Sequence, residues 1–186
     1  MPGALPVDRQ AIHDEMERAR ADFRRLLDGA RPQELRMPTR GTRWTNEQLL
    51  FHMLFGFLLV PPLLFVMRLF GRLPRGVGRS FAGLLNAGTR PFDVINLLVA
   101  VAGARVWNHR RMVLRFDRVI ADLHRRLDAE PETALARDMR YPSRWDPFFR
   151  ETMTVADLYR YPAQHYAFHR HQLTLPDDAA AADQLY

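Results

Sequence analysis

The chain has no cysteine, no lysine and only two serines, Ser80 and Ser143. Without cysteine there is no disulfide, no thiolate ligand for a metal and no cysteine nucleophile. Without lysine there is no Schiff base and no lysine general base. Neither serine stands in a G-x-S-x-G setting, so a serine-hydrolase elbow is absent too. Histidine, aspartate, glutamate, tyrosine and arginine are left to carry any chemistry. The lack of cysteine fits a cytoplasmic chain. The start, MPGALPVDRQ, has no basic stretch followed by an apolar run, so no secretory signal is expected. Internal repeats and long strand-like alternation are also missing.

What is present bounds the class. At 186 residues, 47% hydrophobic and 26% charged, the chain reads as one globular domain, 1–186. Its core is expected over about 8–175, and the tail 176–186 lacks an apolar stripe. The formal charge of +6 raises nucleic acid as a partner. The arginines, however, are spread along every segment and interleaved with Asp and Glu, which describes a solvated surface. Nucleic acid is therefore disfavoured.

Four segments carry helical signals. Asp8 to Asp28 places Ile12, Met16, Ala19, Phe23, Leu26 and Leu27 on one stripe, with Asp8 at the start and Gly29 at the end. After a loop, Thr45 and Gln48 form a capping box, with Trp44 placed to staple the start. The run LLFHMLFGFLLV that follows is apolar almost all round and predicts the most buried helix. Leu49 to Met67 is long enough to span a bilayer. His52, Gly56 and the Pro61-Pro62 pair favour instead a buried helix that breaks or kinks at the prolines, so an integral membrane protein is disfavoured. Phe70 to Arg90 is glycine-rich and reads as an insert; its Gly76-Val77-Gly78 lacks the context of a phosphate loop. Pro91 to Leu127 is helical, with an apolar front half, INLLVAVAGARVW, that Gly103 loosens. Its back half carries a stripe of Met112, Val113, Phe116, Val119, Ile120, Leu123 and Leu127. Thr154 with Asp157 caps the last helix, which contains Pro162.

The chemistry gathers on that last helix. His165 and His169 are four apart and share a face. His52 sits in apolar surroundings, where an imidazole must be neutral and hydrogen-bonded, or metal-bound. With no thiolate available, His52, His165 and His169 are the simplest ligand set, for zinc, nickel, iron or manganese. Two ordinary buried histidine positions would produce the same spacing, and both readings stand on the residues alone. His171 lies on another face. His13 has no partner at i+4 and is expected at the surface, as is His124; His109 is a reserve ligand. The RYPSRWDPFFRE loop interleaves rings and charges. It either packs its rings on the end of the helices or walls a cleft, with Arg144 and Trp145 as contacts for an anionic substrate.

WTNEQLLFH resembles the second-helix signature of the DinB-like superfamily of bacterial four-helix bundles, and TVADLYRYPAQHYAFHRHQL resembles its last helix. The resemblance spans roughly residues 8 to 175. It implies an all-α four-helix bundle of the DinB-like type, often as a homodimer; the insert between helices 2 and 3 is this chain's own departure from that pattern. It also implies a divalent metal held by one histidine of the second helix and an H-x-x-x-H pair of the last; by position these are His52, His165 and His169. Several members are transferases or isomerases that use a low-molecular-weight thiol, whose pKa the metal lowers. The expectation is thus a metal-dependent enzyme, a thiol-dependent S-transferase, isomerase or hydrolase. A non-enzymatic metal- or ligand-binding bundle acting through an apolar or dimer interface is the alternative. A membrane-associated protein built on the two apolar runs is the third reading.

Overall fold

The structure, a computed structural model, describes residues 6–70, 102–103, 109–141 and 146–175. The Phe70–Arg90 insert beyond Phe70, most of the INLLVAVAGARVW run, Arg144, Trp145 and the tail lie outside the described residues. The described chain is mostly helical. Helix α1 spans Arg9–Gly29, α2 Pro32–Leu35, α3 Asn46–Phe70, α4 His109–Ala129, α5 Glu132–Leu135 and α6 Val155–Arg170.

Helices α1, α3 and α6 start where the sequence offers a cap. The Asp8 carboxylate accepts from the Ala11 N–H at 2.9 Å. At α3 the Thr45 N–H donates to Gln48 Oε1 at 3.1 Å and the Gln48 N–H to Thr45 Oγ1 at 3.4 Å. At α6 the Thr154 N–H donates to Asp157 Oδ2 at 2.8 Å, and the Asp157 N–H returns to Thr154 Oγ1 at 3.1 Å. Apart from half-buried Val113, the predicted stripes of α1 and α4 are the buried ones.

Helix α3 does not break at its prolines; it runs unbroken through Pro61 and Pro62. The reason is where they face. Val60, Leu64 and Met67 are buried, whereas Pro61 is half-buried and Pro62 exposed. Keeping the helix leaves the buried Val60, Leu64 and Met67 face whole, and that burial outweighs the two hydrogen bonds the prolines remove. By length and composition alone α3 could cross a bilayer, over Asn46–Leu69, and 56% of its most apolar window is buried inside the fold. The loosening of the helix expected at Gly103 falls in a run of which only 102–103 are described; a Cβ on Gly103 would fall 2.1 Å from Cζ of Phe51, so its bare backbone is what admits that ring.

Some short elements go beyond the sequence pattern. Strands β1, Asp138–Arg140, and β2, Thr152–Thr154, pair antiparallel, with Met139 opposite Met153. At three residues each they are too short for a period of two to register. The hairpin fixes the base of the loop ahead of α6.

Helix α3 packs along α6 and α1 along α4, with further packing between α1 and α6 and between α3 and α4. Phe23, Phe57, Phe116 and Tyr166 meet at the centre; the Phe57 and Phe116 rings are edge-to-face at 4.8 Å. One polar knot lies in this core. Buried Asp22 of α1 accepts from Tyr166 Oη at 2.8 Å and Arg170 Nε at 2.9 Å, and also pairs with Arg25. Removing one partner from a buried ion pair costs far more than losing a surface pair. Asp22→Ala is therefore expected to lower stability by about 3–5 kcal/mol, against about 1.5–3 kcal/mol for Tyr166→Phe, which removes a single hydrogen bond to a charged group. Urea unfolding reads both; a mild effect of Asp22→Ala would show that the knot does not hold α6 to α1.

Candidate metal centre

The three histidines singled out by spacing converge between α3 and α6. One ring nitrogen from each of His52, His165 and His169 lies within 4.8 Å of the others. Nε2 of His52 stands 3.1 Å from Nε2 of His165. The His169 ring is edge-on to both, with centroids 4.8 Å from His52 and 4.5 Å from His165. His52 and His165 are buried and His169 half-buried. His171 and His109 are exposed, away from the group.

The outer nitrogens are held by oxygens. His165 Nδ1 lies 2.9 Å from Asp146 Oδ2, and His169 Nδ1 lies 2.6 Å from Gln172 Oε1. Both oxygens accept, so Nδ1 of each ring carries the proton. In a neutral imidazole this leaves the lone pair on Nε2, the tautomer a metal ligand needs. Asp146 is itself fixed. It accepts from Tyr161 Oη at 3.1 Å and from the Phe148 N–H at 2.9 Å. Burial pushes its carboxyl up, but the bonds from His165, Phe148 and Tyr161 together outweigh burial and keep it below the ordinary carboxylate value. Burial and the Asp146 charge drive Tyr161 well above a normal phenol, so its hydroxyl keeps its proton.

The donor set fits a divalent ion. Two imidazole nitrogens on one tetrahedral zinc at about 2.0–2.1 Å stand roughly 3.3–3.4 Å apart, so the 3.1 Å separation of His52 and His165 needs only a slight parting. Three neutral nitrogens leave the ion's full charge uncompensated, which favours an anionic fourth ligand such as hydroxide or thiolate. A cleft of about 240 Å³ opens beside the histidines. Trp44, Phe55, Leu59, Leu63, Phe149 and Phe168 supply most of its wall. The Trp44 ring lies on His52, centroids 4.5 Å apart, so the residue read as a helix staple also covers the centre.

Several members of the site were not legible as such. Asp146, Gln172, Tyr161 and Gly56 carry no spacing signal. For Asp146 a signal did exist: a ligating imidazole usually gives its far N–H to a carboxylate, and Asp146 is the one acidic residue between Tyr141 and Arg150. Gly56, one turn beyond His52, lets α6 come close; a Cβ there would sit 3.2 Å from Cδ2 of His165. Tyr141, Phe148 and Phe149 of the loop do both things expected of it. Phe149 packs on Tyr161 at 4.6 Å and also lines the cleft.

A family model described as the DinB superfamily matches residues 15–173. No curated protein and no solved structure matches the chain.

Burial, helped by neighbouring His165, pushes His169 down to about 4. In metal-free protein the unfolded chain therefore binds a proton at His169 before the folded chain does. That contribution to stability is intact above pH about 6.5. It falls as pH drops toward 4, by up to about 3 kcal/mol. Unfolding of the chelator-treated parent and of His169→Gln between pH 7 and 4 checks this. The parent should lose stability more steeply; parallel curves would place His169 in a solvated setting.

Proposed function

The chain belongs to the DinB superfamily, and on that premise we propose that it is a divalent-metal-dependent enzyme built as a four-helix bundle. His52, His165 and His169 are the proposed ligands. The observation that carries the reading is the pair of outer nitrogens tied to Asp146 and Gln172, which turns Nε2 of His165 and His169 away from those oxygens and toward the centre. A divalent ion held there would supply Lewis acidity that lowers the pKa of a bound water or thiol.

The protein's own groups do the rest. Anionic Asp146 holds the His165 imidazole in one tautomer and one orientation, and the Tyr161 hydroxyl steadies Asp146. The mostly apolar wall lowers the local polarity, so charges at the centre interact more strongly than in bulk water. We take the co-substrate to be a low-molecular-weight thiol and the reaction to be S-transfer, isomerisation or hydrolysis in the cytoplasm. Arg144 and Trp145 are proposed to contact an anionic part of the ligand; unchanged binding and turnover in their alanine variants would remove them from the site.

A second reading, a binding bundle without chemistry, is favoured by one observation. Among the described residues, the cleft lining beyond the histidines, Asp146 and Tyr161 is apolar. Elemental mass spectrometry of tag-free protein tests the metal. Near-stoichiometric ion in the parent, lost in His165→Ala and His169→Ala, is expected. Asp146→Ala should weaken binding about 10–100-fold. Protein that takes up no zinc, nickel or manganese would end the metalloenzyme reading. Metal without turnover in a thiol-transfer screen would favour the binding protein.

A further inference from the structure

Away from the cleft, a second histidine pair bridges α1 and α4. His13 Nδ1 faces His124 Nδ1 at 2.5 Å, and the ring centroids are 4.6 Å apart. Each outer nitrogen meets a carboxylate. His13 Nε2 lies 2.9 Å from Asp128 Oδ1, and His124 Nε2 lies 2.6 Å from Glu17 Oε1, which also pairs with Arg20.

A carboxylate oxygen accepts, so each Nε2 carries a proton. A neutral imidazole has one N–H, which leaves a lone pair on each Nδ1. Two lone pairs aimed at each other repel unless a cation lies between them. We propose that His13 and His124 form a second metal site, for a late first-row divalent ion such as zinc, nickel or copper, completed by water. Imidazole suits these ions. A far nitrogen tied to a carboxylate is the arrangement that orients a ligating histidine, and here both rings have it. The side chains are 19% and 21% exposed, so water can reach an ion between them. Two nitrogens on one ion at about 2.0–2.1 Å stand roughly 3.0–3.4 Å apart, so the rings part by a fraction of an ångström to about one. With two protein ligands this site is the weaker of the two, and it clips the start of α1 to the end of α4.

The test uses the full chain stripped by chelator and titrated with zinc, then nickel, against a metal-sensitive dye. The parent should take up a weaker equivalent that His13→Gln and His124→Gln each lose, while the tighter one stays. His165→Ala should lose the tighter equivalent and keep the weaker, which separates this site from the three-histidine centre. If that centre takes no metal, the His124-dependent equivalent still reads on its own. Far-UV circular dichroism and metal-free melting verify that the variants fold. On the parent itself, cupric ion at the weaker site should show two imidazole nitrogens by electron paramagnetic resonance. Equal stoichiometry in parent and both variants would overturn the proposal. So would a parent with no His124-dependent ion whose paired rings share a proton by NMR.

Discussion

The rotational setting of α6 is the constraint on which the site depends. The helix carries two pairs at four-residue spacing, His165 with His169 and Tyr166 with Arg170, offset by a single residue. One step on a helix is about 100°. The first pair therefore faces α3 while the second faces α1. Asp22 holds the second pair through two hydrogen bonds. Turning α6 enough to withdraw the histidines from α3 would pull Tyr166 and Arg170 off a buried carboxylate. The polar knot on one side of the helix thus positions the imidazoles on the other.

Distance between the helices is set separately. Gly56 faces His165, and a Cβ there would come within 3.2 Å of its Cδ2, so a larger residue would crowd the ring. At the far end of α6 the chain is held by Asn46. Its amide donates to the Glu34 carbonyl and to Thr174 Oγ1, and its Oδ1 accepts from the Thr174 N–H. The Arg40 N–H donates to the Gln172 carbonyl at 2.8 Å. Gln172 reaches His169 from a segment anchored in this way, so the start of α3 and the end of α6 support the same centre.

The legibility of the sequence follows from the range of each interaction. Caps at Asp8, Thr45 and Thr154 are local, and the residue types announce them. The stripes of α1 and α4 repeat often enough to be read. The histidine trio was legible because two members share a helix face and the third stands out in apolar surroundings. What stayed hidden crosses between elements. His13 had no neighbour at i+4 and was read as surface, yet its partner is His124 on another helix. Asp146 reaches His165 across the turn into α6. The β1–β2 pair is shorter than its own signal. The prolines of α3 suggest a break or a kink because a sequence window does not reveal that Pro62 faces outward.

The same logic explains how a chain without thiolates can still gather three histidines that could hold a metal ion. Imidazole is a weaker donor than thiolate, so its ligand geometry must come from its surroundings. Here the surroundings are a carboxylate, an amide oxygen, a tryptophan face and a glycine, on His165, His169, His52 and His165 respectively. The net effect is electrostatic as well as steric. A set of three neutral nitrogens leaves a bound ion strongly positive, and Asp146, one bond removed, offsets that charge without filling a coordination position. A fourth ligand would then be drawn from the cleft, where an apolar wall offers it little competing solvation. With an ion in place, such a setting would suit a small anion or an ionisable group that becomes one. That links the histidines, which sequence spacing revealed, to the cleft, which only the packing of α3 against α6 creates.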